Sequence, residues 1–60
     1  MTKKDYVAIA ATLDHVRRIN ETAGERRGTQ RAARCLADMM AADNLRFDRA
    51  RFLKACGVQS

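Results

Sequence analysis

An all-α fold, a helical hairpin closed by a short third helix in a single small domain spanning residues 1–60, is predicted from three observations. Apolar residues recur every three or four positions over two long stretches, no segment alternates apolar and polar residues over the length of a strand, and residues 43–58 carry the start and stop signals of a short helix. There is no proline, internal repeat or low-complexity tract to break the pattern.

The first helix should begin at about residue 3. Thr2 and Asp5 stand at the spacing of a capping box, in which each reaches the other's end of the first turn. Tyr6, Ile9, Leu13 and Val16 then form one helical stripe, with Ala10 beside it. Lys3, Lys4, Asp14, Arg17 and Arg18 are left to solvent, and Asp14 precedes Arg18 in the order that favours an ion pair along a helix. Asn20, Glu21, Thr22, Ala23 and Gly24 interrupt the stripe with turn-forming residues, so the chain reverses there.

A second helix is expected from about 25 to 43. Two starts compete: Thr22 with Glu25 makes another capping box, and Gly28 followed by Thr29 offers a later one. Its buried stripe is read as Ala32, Leu36, Met39 and Met40, with Ala33 and Cys35 at the edges. The adjacent methionines serve either as core against the first helix or as a pliable contact surface. Asn44 is placed in the left-handed position that ends a helix, which would set Met40 against Leu45.

The third helix is the most fully specified, over about 49 to 56. Asp48 is its N-cap, which makes Phe47 and Phe52 the two residues of a hydrophobic staple. Gly57 supplies a left-handed closing residue, with Leu53 and Val58 at the spacing of a Schellman contact.

Twelve Lys and Arg against seven Asp and Glu give a net charge of +5 and a pI near 10, which suits an acidic protein or nucleic acid as partner. A chain this short buries only about 60% of the surface its unfolded form exposes, so a partner or a second copy (a homodimer) is expected to add to its core. No apolar run approaches the ~20 residues that span a bilayer, and the first residues lack the apolar segment of a signal peptide. The expectation is a soluble, intracellular protein without membrane contact. Cys35 and Cys56 fall on different helices outside any metal-binding spacing, and both are read as buried, reduced thiols.

The candidate partner-binding residues are arginines. Arg27, Arg31 and Arg34 form one row along the second helix, with Arg26 and Gln30 alongside, and Arg49 and Arg51 add to the basic face from the third. Guanidinium groups so arranged grip carboxylates by paired hydrogen bonds or lie along phosphates; otherwise the row is a solvated face with local ion pairs such as Arg34 with Asp38. A DNA-reading helix-turn-helix fits poorly, because the corner is occupied by phenylalanines and the last helix is short. Tyr6, Phe47 and Phe52 are the sole aromatic residues and are assigned to the core, which leaves no stacking platform for RNA. His15 cannot form a dyad with its neighbour Asp14 on a helix. No catalytic residue, metal ligand set or cofactor is expected, and the chain does not read as an enzyme.

Both ends of the chain carry a resemblance. Met1-Thr2-Lys3-Lys4-Asp5-Tyr6, followed by Ile9, Ala10 and Leu13, and the run Asp43-Asn44-x-Arg46-Phe47-Asp48-Arg49-x-Arg51-Phe52-Leu53-x-Ala55-Cys56-Gly57 resemble a group of small bacteriophage and prophage proteins. The resemblance spans about half of the chain; in that group a proline often stands where this chain has Leu45, and the middle segment varies. It implies a small accessory protein made in the cytoplasm of a bacterial host, acting by binding and blocking a protein target, for instance as an inhibitor of a defence system such as an anti-CRISPR. The alternative is a basic nucleic-acid-binding accessory protein using Arg27, Arg31, Arg34, Arg49 and Arg51.

Overall fold

A computed structural model describes residues 2–58 and contains three helices: α1 (Lys3–Ile19), α2 (Ala23–Asp43) and α3 (Arg49–Ala55). All three pack on one another. The long dimension of the molecule is 34 Å, nearly matched by the ~31 Å that the 21 residues of α2 span at ~1.5 Å each.

The helix boundaries follow from caps. Extended backbone at Thr2 starts α1, and the Thr2 amide donates to the Asp5 carboxylate at 2.9 Å. Asn20 leaves α1 in an extended conformation and anchors the hairpin turn by donating from its side-chain amide to the Thr29 hydroxyl at 2.7 Å. The Thr22 hydroxyl accepts from the Glu25 amide at 3.1 Å, so α2 begins at the earlier of the two competing starts, two residues before the expected 25. An N-cap contributes about 1 kcal/mol, enough to offset a helical glycine of similar cost, and Gly24 and Gly28 both lie within the helix.

The last helix forms as its signals require. The Asp48 carboxylate accepts from the Arg51 amide at 3.0 Å, and the Phe47 and Phe52 rings stand 5.5 Å apart as a staple. At its end Gly57 has φ +80°, the Gly57 amide donates to the Lys54 carbonyl at 3.0 Å and the Val58 amide to the Leu53 carbonyl at 2.9 Å. These are the two bonds of a Schellman motif, and Leu53 and Val58 are both buried.

The core lies where α3 packs along the hairpin, from Tyr6 near its open end to Arg17. Ala10 of α1, Ala33, Ala37 and Met40 of α2, and Phe52, Leu53, Cys56 and Val58 are buried, with Tyr6, Ile9, Leu13, Leu36 and Phe47 half-buried around them. Residues 21–28 are exposed without exception, so the first turns of α2 project as an arm past the packed region.

Four expectations need correction. The face of α2 that packs inward is Ala33, Ala37 and Met40, with Leu36 beside it; Ala32 and Met39 face solvent. Three helices that share so small a core must approach closely, and alanines at 33 and 37 permit this where larger side chains would hold them apart. Asn44 is not left-handed, with φ −139° and ψ 109°. Its side chain instead accepts from the Arg46 amide at 3.0 Å while its carbonyl accepts from the Phe47 amide at 3.0 Å, a local turn that leaves Leu45 97% exposed and away from Met40. Cys35 is exposed, and only Cys56 is buried. Arg17 is drawn inward rather than left to solvent: it pairs with Asp14 at 2.8 Å and donates from Nε to the Cys56 carbonyl at 3.4 Å.

Candidate interaction site

Two basic surfaces emerge, and their contrast depends on where the carboxylates go. Asp5, Glu25 and Asp48 are engaged at helix N-termini, the Glu25 carboxylate accepting from the Thr22 hydroxyl at 3.0 Å. Asp14 holds Arg17 and Arg18, at 2.8 and 3.1 Å, and Asp38 holds Arg49 at 2.7 Å. Acidic groups are thus mostly consumed in ending helices and tying them together, and the excess positive charge is displayed outward.

The hydrogen bond from Arg17 draws the Asp14 carboxyl below its ordinary value; partial burial opposes this, and the charges of Arg18 and Arg17 reinforce it. Burial raises the Cys56 thiol, and the charge of Asp14 adds to the effect. Both groups belong to the seam that joins the end of α3 to α1, so they bear on stability rather than on either basic surface.

The first surface is the arm together with the exposed side of α2 that continues it to Arg34. Arg27, Arg31 and Arg34 are all exposed on α2, as expected of the row, and among the described residues no carboxylate lies within ion-pair distance of Arg27 or Arg31. Arg49 does not join them. It is half-buried and bound to Asp38 across the α2–α3 contact, where it serves to dock the last helix.

The second surface was not legible as a unit in the sequence. A groove of about 420 Å³ runs between the N-terminal half of α1 and α3. Tyr6, Val7, Ala10, Phe47, Phe52 and Ala55 form its apolar walls; Lys3, Arg46 and Arg51 supply cations, and Asn44 and Asp48 complete the lining. The aromatic rings pack as a chain, Tyr6 to Phe47 at 4.8 Å and Phe47 to Phe52 at 5.5 Å, with tilts of 58° and 55°. Tyr6 and Phe47, assigned to the core from sequence, are half-buried wall residues of this groove. Arg51, read as part of a face shared with α2, belongs to it too. A pointer was present in the sequence: a staple at 47 and 52 beside an aromatic one turn into α1 puts three rings at one corner.

Among the described residues no group of three or more His, Cys, Asp and Glu side chains gathers as a metal site would, and no helix is long and apolar enough to cross a membrane. The chain matches no known family model, no curated protein and no solved structure.

Proposed function

We propose that this is a small phage-type accessory protein that acts by binding another protein, and that its target is a bacterial defence complex, in the manner of an anti-CRISPR. The observation that carries the binding reading is the exposure of Arg27 and Arg31 on α2, with no carboxylate within ion-pair distance among the described residues, while most of the acidic residues are engaged in helix caps and ion pairs. An acidic protein surface is the complement of such an arm, since guanidinium groups hold carboxylates in paired, directional hydrogen bonds. The phage context rests on the resemblance at both ends of the chain.

The same arm also favours a second reading, in which the arginines neutralise phosphates of nucleic acid. Salt separates the two. Binding through about six phosphates releases condensed counterions and should weaken ~10³-fold or more between 50 and 200 mM salt, whereas arginine–carboxylate contacts on an acidic protein are only screened and respond less steeply.

The test is a pull-down with the tagged protein from bacterial lysate, with and without nuclease. A stoichiometric protein retained after nuclease, and lost when Arg31→Glu and Arg34→Glu are combined at unchanged helix content, is the expected result. Recovery of nucleic acid alone would replace the protein-binding reading with the phosphate-binding one.

A further inference from the structure

The groove between α1 and α3 shares no lining residue with the arginine arm, and its chemistry is different. Its walls are apolar, and the sole carboxylate among its described lining residues, Asp48, already accepts from the Arg51 amide as a helix cap. Lys3, Arg46 and Arg51 have no carboxylate within ion-pair distance among the described residues. Apolar surface is also left uncovered here: Val7 lines the groove and is 60% exposed, and Leu45 stands fully in solvent between two lining residues, Asn44 and Arg46.

We propose that this groove takes an acidic peptide segment of a partner protein, with one large apolar side chain seated among Tyr6, Val7 and Phe47 and flanking carboxylates held by Lys3, Arg46 and Arg51. The inference rests on the protein-binding reading for the class of its partner, and the charge complementarity of rim and segment selects the occupant. A volume near 420 Å³ is at the lower end of pockets that enclose a ligand, so it holds one or two side chains rather than the face of a whole helix. A nucleobase is the poorer occupant, because the tilted rings of Tyr6, Phe47 and Phe52 are packed against one another and present no free pair of faces for stacking.

The test uses the full chain, labelled with nitrogen-15, and a short synthetic peptide with one tryptophan flanked on both sides by glutamates. Titration should give saturable amide shifts at Lys3, Tyr6, Val7, Phe47 and Arg51. Replacing the tryptophan by alanine, or the glutamates by lysines, should weaken binding by about tenfold or more. In the protein, combining Arg46→Glu with Arg51→Glu, or making Val7→Asp, should do the same with helix content retained. Combining Arg27→Glu with Arg31→Glu should change the affinity by no more than about twofold.

Equal binding of the tryptophan-free peptide would reduce the groove to a charge effect and overturn the proposal. So would shifts that map to residues 24–34, or no saturation at ~1 mM peptide. Failure of the broader reading looks different: a pull-down that yields only nucleic acid, with the peptide still mapping to the groove, removes the arm as a protein site and leaves the groove in place.

Discussion

Replacing Gly57 by alanine should be among the most damaging single-methyl changes available in this chain. Gly57 holds φ +80°, and a non-glycine residue in left-handed backbone costs about 1–2 kcal/mol. The new Cβ would also run into the Arg17 guanidinium, so Arg17 must move and lose its hydrogen bond to the Cys56 carbonyl, a further ~0.5–1.5 kcal/mol. The sum, about 1.5–3.5 kcal/mol, is a large part of the ~3–9 kcal/mol expected for 60 residues and should lower the melting temperature by about 6–28 °C. Gly28 provides the internal control, since a Cβ there meets nothing within 4 Å. Gly28→Ala should therefore stabilise by about 0.5–1 kcal/mol through helix propensity. Thermal and urea unfolding followed by far-UV circular dichroism measure both. Repeating Gly57→Ala on an Arg17→Ala background isolates the collision: there it should cost only the backbone part. A Gly57→Ala variant within ~0.5 kcal/mol of the parent would refute the left-handed closure, and strict additivity with Arg17→Ala would refute the contact.

Three further outcomes follow from the same packing. Phe52→Ala removes a buried ring that staples Phe47 and should destabilise by about 3 kcal/mol or more; unchanged unfolding would break the stapled-corner description. In the folded protein a thiol reagent should label Cys35 rapidly and Cys56 only upon unfolding, so equal labelling rates would contradict the burial of Cys56. Stability should fall at both pH extremes for identifiable reasons. The Asp14 carboxyl is lowered in the fold, so its contribution is present above about pH 4 and lost as the pH drops through its folded value; Asp14→Asn should flatten that acid limb. The Cys56 thiol is raised, so its contribution is present below about pH 8.5 and lost as the pH climbs through the folded value; unfolding curves at alkaline pH should show a smaller loss in Cys56→Ala than in the parent.

What could be read from the sequence was what local chemistry determines. Asp48, the pair Phe47 and Phe52, and Gly57 act within a few residues of themselves, and each takes its expected place. The inward face of α2 could not be read the same way. Bulk pointed to Met39, but the approach of three helices selects Ala33 and Ala37, and smallness leaves no peak in a hydrophobic pattern. Asn44 had two ways to end a helix, and its side-chain bond to the Arg46 amide decided for the extended one. The ion pair of Arg49 was not legible because its partner, Asp38, lies eleven positions earlier, beyond the reach of spacing rules within one helix. The groove combines α1 with residues more than thirty positions away, so it exists only once the corner has folded onto the hairpin.

The two surfaces are set apart along α2. Arg27 and Arg31 stand 17 and 13 positions before Asn44, the lining residue at the end of that helix, so about 25 and 20 Å of helix separate them from it in a molecule 34 Å long. That distance exceeds the reach of exposed charges on one another at physiological salt, where the Debye length is about 8 Å. Charge reversal at Arg27 and Arg31 therefore leaves the field at Arg46 and Arg51 almost unchanged, and a short peptide seated in the groove cannot touch the arm. A partner that needs both surfaces must carry acidic groups set a comparable distance apart, on a folded surface or along an extended segment of about seven residues. For such a partner each reversal alone should cost affinity, and the two losses should add, because among the described residues Arg27 and Arg31 share no ion pair with Arg46 or Arg51.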